Sequence, residues 1–464
     1  MTLPPLRRNL LRSARRPASR PAPRRSHRKP AQVIVLGFLA AIVAGTALLM
    51  LPVSYQDRAP TLTEAAFTTT SAITVTGLAV VDTPEFWTIF GQLVILVLIK
   101  VGGLGVMTFA TVLGLLISRR LGLSRRLETA AEARAEGIGD LSRILLGIVK
   151  VSAVIESAGA VLLFLRFWLG HGLDVGTAAW HGVFHAVSAF NNAGFALYSA
   201  NLMDFVDDPF ICLPIAGCII LGGIGFPVLV QLRRHWRLPH RWTMNTRLVL
   251  LGSALLLAGG TAMYLILEWS NPKTLGPLDP AARVLAAFFQ SVTTRTAGFN
   301  SLDFGQMDPI TLLGTDVLMF IGAGPAGTAG GLKITTFGVL FFIMLTELRG
   351  QAAVNVMGRR LARSAHREAI TVVLLSVAAV TVGTAVLMGL SEETSDRLLF
   401  EAVSAFATVG LSTGITATLP EAGQWVLMVL MFLGRIGPAT VAGALALRER
   451  QLLYELPKER PLLG

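Results

Sequence analysis

Four short stretches of this chain combine small hydroxyl, amide and glycine residues in a way that could handle a bare cation. Thr74, Val75, Thr76 and Gly77 make the first, and Asn191, Asn192, Ala193 and Gly194 the second. Thr296, Ala297 and Gly298 make the third, and Ala407, Thr408, Val409 and Gly410 the fourth. None of these side chains is a strong acid, base or nucleophile, so what they offer is backbone. Glycine enters left-handed φ/ψ space at little cost, which lets successive carbonyls face one side. A ring of such carbonyls can replace the hydration shell of potassium. The glycines at 77, 194, 298 and 410 are 117, 104 and 112 residues apart. One such cluster would be an ordinary turn, whereas four at a near-regular period imply four elements around one axis.

Each stretch needs an element to aim it. Amphipathic runs at 63–73, 180–190, 282–294 and 398–406 precede the four stretches and read as short re-entrant helices. Their C-terminal ends would present partial negative charge to a cation. Beyond them lie apolar runs at 33–51, 86–117, 144–165, 210–232, 248–267, 310–345, 370–390 and 425–447. About twenty apolar residues cross a bilayer as a helix, so these count as eight spans. The fold expected is an all-α membrane protein of four pseudo-repeated span–helix–loop–span units around one central pore. The units are 33–117, 118–232, 233–346 and 347–447, with a disordered basic tail at 1–32 and a second tail at 448–464. The link at 118–143 sets Glu128, Glu132 and Glu136 on one face of a solvated helix.

One run cannot stay helical. Gly322, Gly324, Pro325, Gly327, Gly330 and Gly331 crowd the middle of 310–345, where glycine and proline break helices. Broken helices inside a bilayer line a water-filled path, so this stretch, with Thr328 and Lys333, is a candidate gate, a structural kink being the other reading. Its GxGxxG spacing is not a dinucleotide fingerprint, because no βαβ unit surrounds it. Arg435 lies in mid-run beside Gly434 and Gly437 and is expected next to this stretch. The remaining returning runs also carry glycines, at 102–105 and 222–225, where backbones would approach closely. Arg295 is expected to pair with Glu64 or Glu401 behind the third loop. Lys150 and Glu156, both inside a span, are expected to bond to other helices.

The composition excludes other classes. Hydrophobic residues are 53% of 464 and charged residues 15%, against roughly a quarter charged in soluble domains. The net charge of +12 is not a nucleic-acid footprint, because it is segregated. Residues 1–32 hold ten Arg or Lys and no acid, while the opposite-side segments carry only Arg58, Lys273, Arg283 and Arg397. This is the positive-inside pattern, placing both termini in the cytoplasm of a plasma-membrane protein that touches lipid and no nucleic acid. Cys212 and Cys218 imply neither a disulfide framework nor a metal site. No clustered acid–base constellation marks an enzyme. A sodium-coupled carrier of a small solute is the alternative, although such carriers usually use inverted repeats.

The stretches 74–77, 294–300 and 432–438, together with the break after Gly322, resemble the Trk/Ktr/HKT superfamily of potassium transporters over residues 33–450. The eight-span count is more similar to its KtrB branch. That resemblance implies potassium as the transported ion, with sodium as a second candidate, and filter roles for the four stretches. It also implies a homodimer and a KtrA-like cytoplasmic ring that binds the nucleotide, which this chain does not.

Overall fold

The computed structural model describes residues 30–120, 139–351 and 353–437. The tail before residue 30, the link with Glu128, Glu132 and Glu136, and everything after Gly437 lie outside the described residues. In chain order the helices are α1 (Pro30–Leu49), α2 (Leu62–Thr74), α3 (Thr83–Phe86), α4 (Ile89–Arg120), α5 (Gly139–Leu169) and α6 (Val175–Phe190). There follow α7 (Pro209–Gly223), α8 (Phe226–His235), α9 (Met244–Glu268), α10 (Pro280–Thr293), α11 (Pro309–Phe320) and α12 (Ile334–Leu348). A two-residue hairpin, β1 (Asn355–Val356) and β2 (Arg359–Arg360), leads into α13 (Arg363–Leu390), α14 (Ser395–Ala407) and α15 (Glu421–Ile436).

The helices fall into two kinds by what they bury. The long ones are apolar outward: Leu251, Leu255 and Ile266 on α9 are 52%, 65% and 77% exposed. In water each such side chain would forgo about 1.5–3 kcal/mol of burial; in hydrocarbon the exposure costs little. Among the described residues, Leu145–Leu169, Met244–Glu268 and Ala365–Leu390 are long and apolar enough to cross a membrane alone.

The short helices α2, α6, α10 and α14 are the opposite, with their C-terminal halves largely buried. Phe67, Phe190, Phe289 and Phe406, one on each, are essentially inaccessible. Polar residues stop each of them at its outer end. Thr61 accepts from the Glu64 amide at 3.2 Å while the Glu64 carboxylate accepts from the Thr61 amide at 2.8 Å, a capping box. Asp174 accepts from the Thr177 amide, Asp279 precedes Pro280 at the first helical position, and Thr394 precedes α14. Asp174 lengthens α6 five residues beyond the run read from the sequence.

Two breaks interrupt the returning runs. The run at 210–232, expected as one span, is two helices: α7 and α8 meet at 98°. Gly225 there has φ +93°, and Pro227 has no N–H to continue the ladder. Between α11 and α12, residues 321–333 are non-helical.

Candidate ion-conduction site

The four glycine loops share one backbone. Two residues before each glycine stands a left-handed residue: Val75 (φ 57°), Asn192 (58°), Thr296 (69°) and Thr408 (51°). Gly77, Gly194, Gly298 and Gly410 themselves have φ of 97°, 71°, 77° and 92°. The loop amides are spent backwards on their own helices. Thr76, Ala193, Ala297 and Val409 donate to Ser71, Ser188, Thr293 and Ser404 carbonyls at 2.8–2.9 Å. Gly77 and Gly410 donate to the Ser71 and Ser404 hydroxyls. With the donors turned away, the loop carbonyls remain.

The loops also close on one another. A Cβ on Gly77 would overlap the Ala193 carbonyl oxygen, and one on Gly194 would lie 2.9 Å from that of Ala297. One on Gly298 would lie 2.5 Å from the Val409 oxygen, and one on Gly410 would overlap that of Thr76. Each glycine thus faces the carbonyl just before the glycine of the next loop, and the fourth returns to the first. Space for any side chain is absent all round this ring. Beside Gly77 and Gly194 opens a cavity of about 320 Å³, lined also by Asp82, Tyr198 and Asn201.

The glycines of the returning helices seat those helices against the ends of the short ones. A Cβ on Gly102, Gly222 or Gly434 would run into the carbonyl of Ile73, Phe190 or Phe406 respectively. Segment 321–333 fills the space those contacts leave. Several of its amides bond to neighbouring segments: Gly324 and Thr328 donate to the Gly223 and Gly222 carbonyls at 2.9 and 3.2 Å. Gly330 donates to the Thr296 hydroxyl, and Phe226 donates back to the Ala326 carbonyl. Gly322 and Ile334 close the neck by bonding to Leu332 and Ala323. Thr328 is the hub, its hydroxyl bonding the Phe190 carbonyl and Asn192 Oδ1, both at 3.0 Å. The Arg435 guanidinium donates to the Thr328 carbonyl at 2.6 Å and to that of Gly102 at 3.2 Å. Lys333 folds back on its own segment, donating to the Ala329 and Gly330 carbonyls.

Comparison with known proteins gives this geometry a family. The model for TrkH cation transport proteins matches residues 11–450. The chain belongs to that family. Within it, the Ktr system potassium uptake protein B of Vibrio alginolyticus is 40% identical over 93% of this chain and 94% of its own. The Bacillus subtilis protein of the same name is 42% identical over 91% and 94%. The potassium/sodium uptake protein NtpJ of Enterococcus hirae is 35% identical over 95% and 98%. The crystal structure of the potassium transporter TrkH from Vibrio parahaemolyticus superposes with a TM-score of 0.73, covering 92% of this chain and 87% of that one at 18% identity. The TrkH fold is therefore this chain's fold.

Within this TrkH-family frame, some expected pairings are absent. Arg295 bonds to neither Glu64 nor Glu401. Glu64 is taken by Arg58 at 2.6 Å. Glu401 is saturated by Ser412, Thr413 and Thr416, which hold the chain after the fourth loop. Arg295 instead lies against α7, in a small cavity with Asn192, Ile220 and Gly223. Its Nε and Nη2 have no partner among the described residues. The expectation failed because spacing along the chain cannot tell which acid already has local donors. Glu156 does bond across helices, to Lys100 of α4, whereas Lys150 is exposed. The sequence reading passed over the serines six residues before Gly77 and Gly410, and the α7–α8 break. The recurrent serine and the Gly225–Pro227 spacing were the signals.

Proposed function

We propose that this chain is the membrane subunit of a potassium uptake system and that the ion passes through the ring of four glycine loops. Residues 74–77, 191–194, 296–298 and 407–410 act as the filter, mostly through backbone carbonyls. The observation that supports this best is the closure of the ring, glycine to carbonyl, by four loops of one backbone form. The relatives' names support potassium as the ion, and the potassium/sodium name of one makes sodium the second candidate. Four units at 33–117, 118–232, 233–346 and 347–447 supply the loops, with eight crossings and both termini in the cytoplasm. Residues 321–333, with Thr328 and Lys333, act as the gate together with Arg435. Its bonds to the breaks and loops around it support that role, because a plug must be held and must be releasable. The name Ktr system supports a partner subunit, here a KtrA-like ring that binds nucleotide and acts on a homodimer of this chain.

The test is rubidium uptake into liposomes containing the purified chain, with sodium as competitor. Uptake blocked by potassium and little affected by sodium is expected. Absence of any alkali-cation flux from folded protein, with and without a regulatory partner, would reject the reading.

A further inference from the structure

Outside the ring and the gate, a polar cluster in the apolar interior joins three elements. Lys100 projects from α4. Its ammonium donates to Ser152 Oγ of α5 at 2.6 Å and to both carboxylate oxygens of Glu156, Oε2 at 2.5 Å. Ser152 Oγ donates to Glu156 Oε1 at 3.0 Å. The amide of Asn191 donates to the same Oε1 at 3.0 Å and to the Val187 carbonyl at 2.8 Å. Ser152, Glu156 and Asn191 are 1%, 7% and 0% exposed.

We propose that Lys100 and Glu156 form a positioning network that fixes the second glycine loop through Asn191 and so sets how strictly the ring discriminates among alkali cations. The inference rests on the reading of the ring as a filter. A tie between α4 and α5 alone would need only the ion pair. The third partner directs the network to the loop, because Asn191 is the residue immediately before left-handed Asn192. The corresponding residues of the other loops do nothing similar. Thr74 bonds the Thr70 carbonyl and the Thr76 hydroxyl, both of its own unit, Ala407 has no polar side-chain atom, and Arg295 has donors without a partner among the described residues.

The chemistry explains why charges are used. A carboxylate makes shorter and stronger hydrogen bonds than a neutral acceptor, so it grips the Asn191 amide firmly. An isolated charge at this depth is expensive; Lys100 and Glu156, in direct contact, each offset the other's burial. The pair is neutral as a whole, so it acts by holding shape and not by a field on the ion. The two bonds donated by Nδ2 set the orientation of the Asn191 amide, and its Oδ1 lies against Gly103, where any Cβ would strike it. Asn192 in turn accepts from Thr328, so the same loop is held from the gate side as well.

The experiment uses the full chain in liposomes and reads the ratio of rubidium to sodium uptake, with gel filtration and thermal melting as controls for folding. Glu156→Asp keeps the charge but withdraws it by one methylene from Asn191. The expected result is a folded protein whose ratio falls by roughly fivefold or more, the scale of one lost charge-assisted hydrogen bond. The double variant Lys100→Met/Glu156→Gln removes both charges yet keeps a carbonyl oxygen for Asn191. The neutral carbonyl holds Asn191 less firmly than the carboxylate, so the ratio of this variant is expected to fall about two- to threefold, less than in Glu156→Asp. A merely structural pair would lower the melting temperature and leave the ratio at its wild-type value in both folded variants. A wild-type ratio in folded Glu156→Asp would overturn the network while Gly77→Ser still lowers the ratio; if Gly77→Ser also leaves it unchanged, the filter reading fails and takes the network with it. Should Glu156→Asp not fold, the double variant decides, a ratio below wild type supporting the network and a wild-type ratio rejecting it.

Discussion

At the scale of single residues, the ring turns on atoms that are missing. Gly77 combines a φ of 97° with a position where a Cβ would overlap the Ala193 oxygen. Backbone strain alone is worth about 1–2 kcal/mol for an L-residue in a left-handed region, and the clash adds to it. Gly77→Ser is therefore expected to lower the rubidium-to-sodium ratio by about tenfold, the equivalent of 1.4 kcal/mol, in protein that still inserts. An unchanged ratio in such protein would remove the first loop from the filter. Arg295 presents the reverse case. It is 6% exposed, with Nε and Nη2 unpartnered among the described residues, and an uncompensated buried charge costs several kcal/mol. Arg295→Met, which keeps the stem and drops the charge, should raise the melting temperature in detergent. A clear fall would mean that the guanidinium has partners, such as ordered water, that outweigh its desolvation.

At the scale of elements, residues 321–333 are held by donors and acceptors from three neighbouring structures: the α7–α8 break, the second and third loops, and Arg435. None of those bonds is charge against charge, so each is individually modest, about 0.5–1.5 kcal/mol net or up to about 3 where the guanidinium donates. Such a segment can be secure at rest and still be displaced by a biasing partner. Deleting residues 325–330 is expected to raise flux and reduce dependence on a regulator. Arg435→Ala should act in the same direction but more weakly, since the segment itself remains. A deletion variant that folds but stays silent, or is regulated as before, would show the segment to be a kink. Gly225→Ala probes the other side of the clamp. Its Cβ would overlap the Pro325 carbonyl, so it should loosen the segment and raise basal flux, and lower flux would count against the clamp. The non-helical character of this segment was legible in the sequence, because its glycines and Pro325 forbid a helix whatever packs around them. The α7–α8 break lay almost out of reach, marked only by the Gly225–Pro227 spacing, because a run of apolar residues reports hydropathy and not backbone direction. The partner of Arg295 was also out of reach, since Arg58 and Ser412 claim the two candidate acids through local geometry that spacing does not encode.

At the scale of the whole molecule, the distribution of charge along α9 bears on orientation. Arg247 sits in its first turn and Lys273 follows its end, and 25 residues of helix span about 37 Å at 1.5 Å each. Near the Arg247 end, the hairpin residues Val354 and Val356 pack on Leu248, which brings Arg359 and Arg360 to the same end as Arg247. Arg241 is there too, beside Gln231. At the other end most of the few basic residues are tied down locally. Arg58 pairs with Glu64, Arg283 caps the carbonyls of Leu278 and Gly276, and Arg397 approaches Glu393. Among the described residues the free basic surface therefore gathers mostly at one end, the end that the positive-inside rule would assign to the cytoplasm. Native Cys212 and Cys218 are buried, so the wild-type chain should not react with a membrane-impermeant maleimide, and single cysteines can report on each side. In intact cells Lys273→Cys should label at once, whereas Arg234→Cys should label only after the membrane is permeabilised. The reverse order would invert the chain, put its basic end outside, and leave a cytoplasmic regulator with no access to the face on which α8 and α12 end.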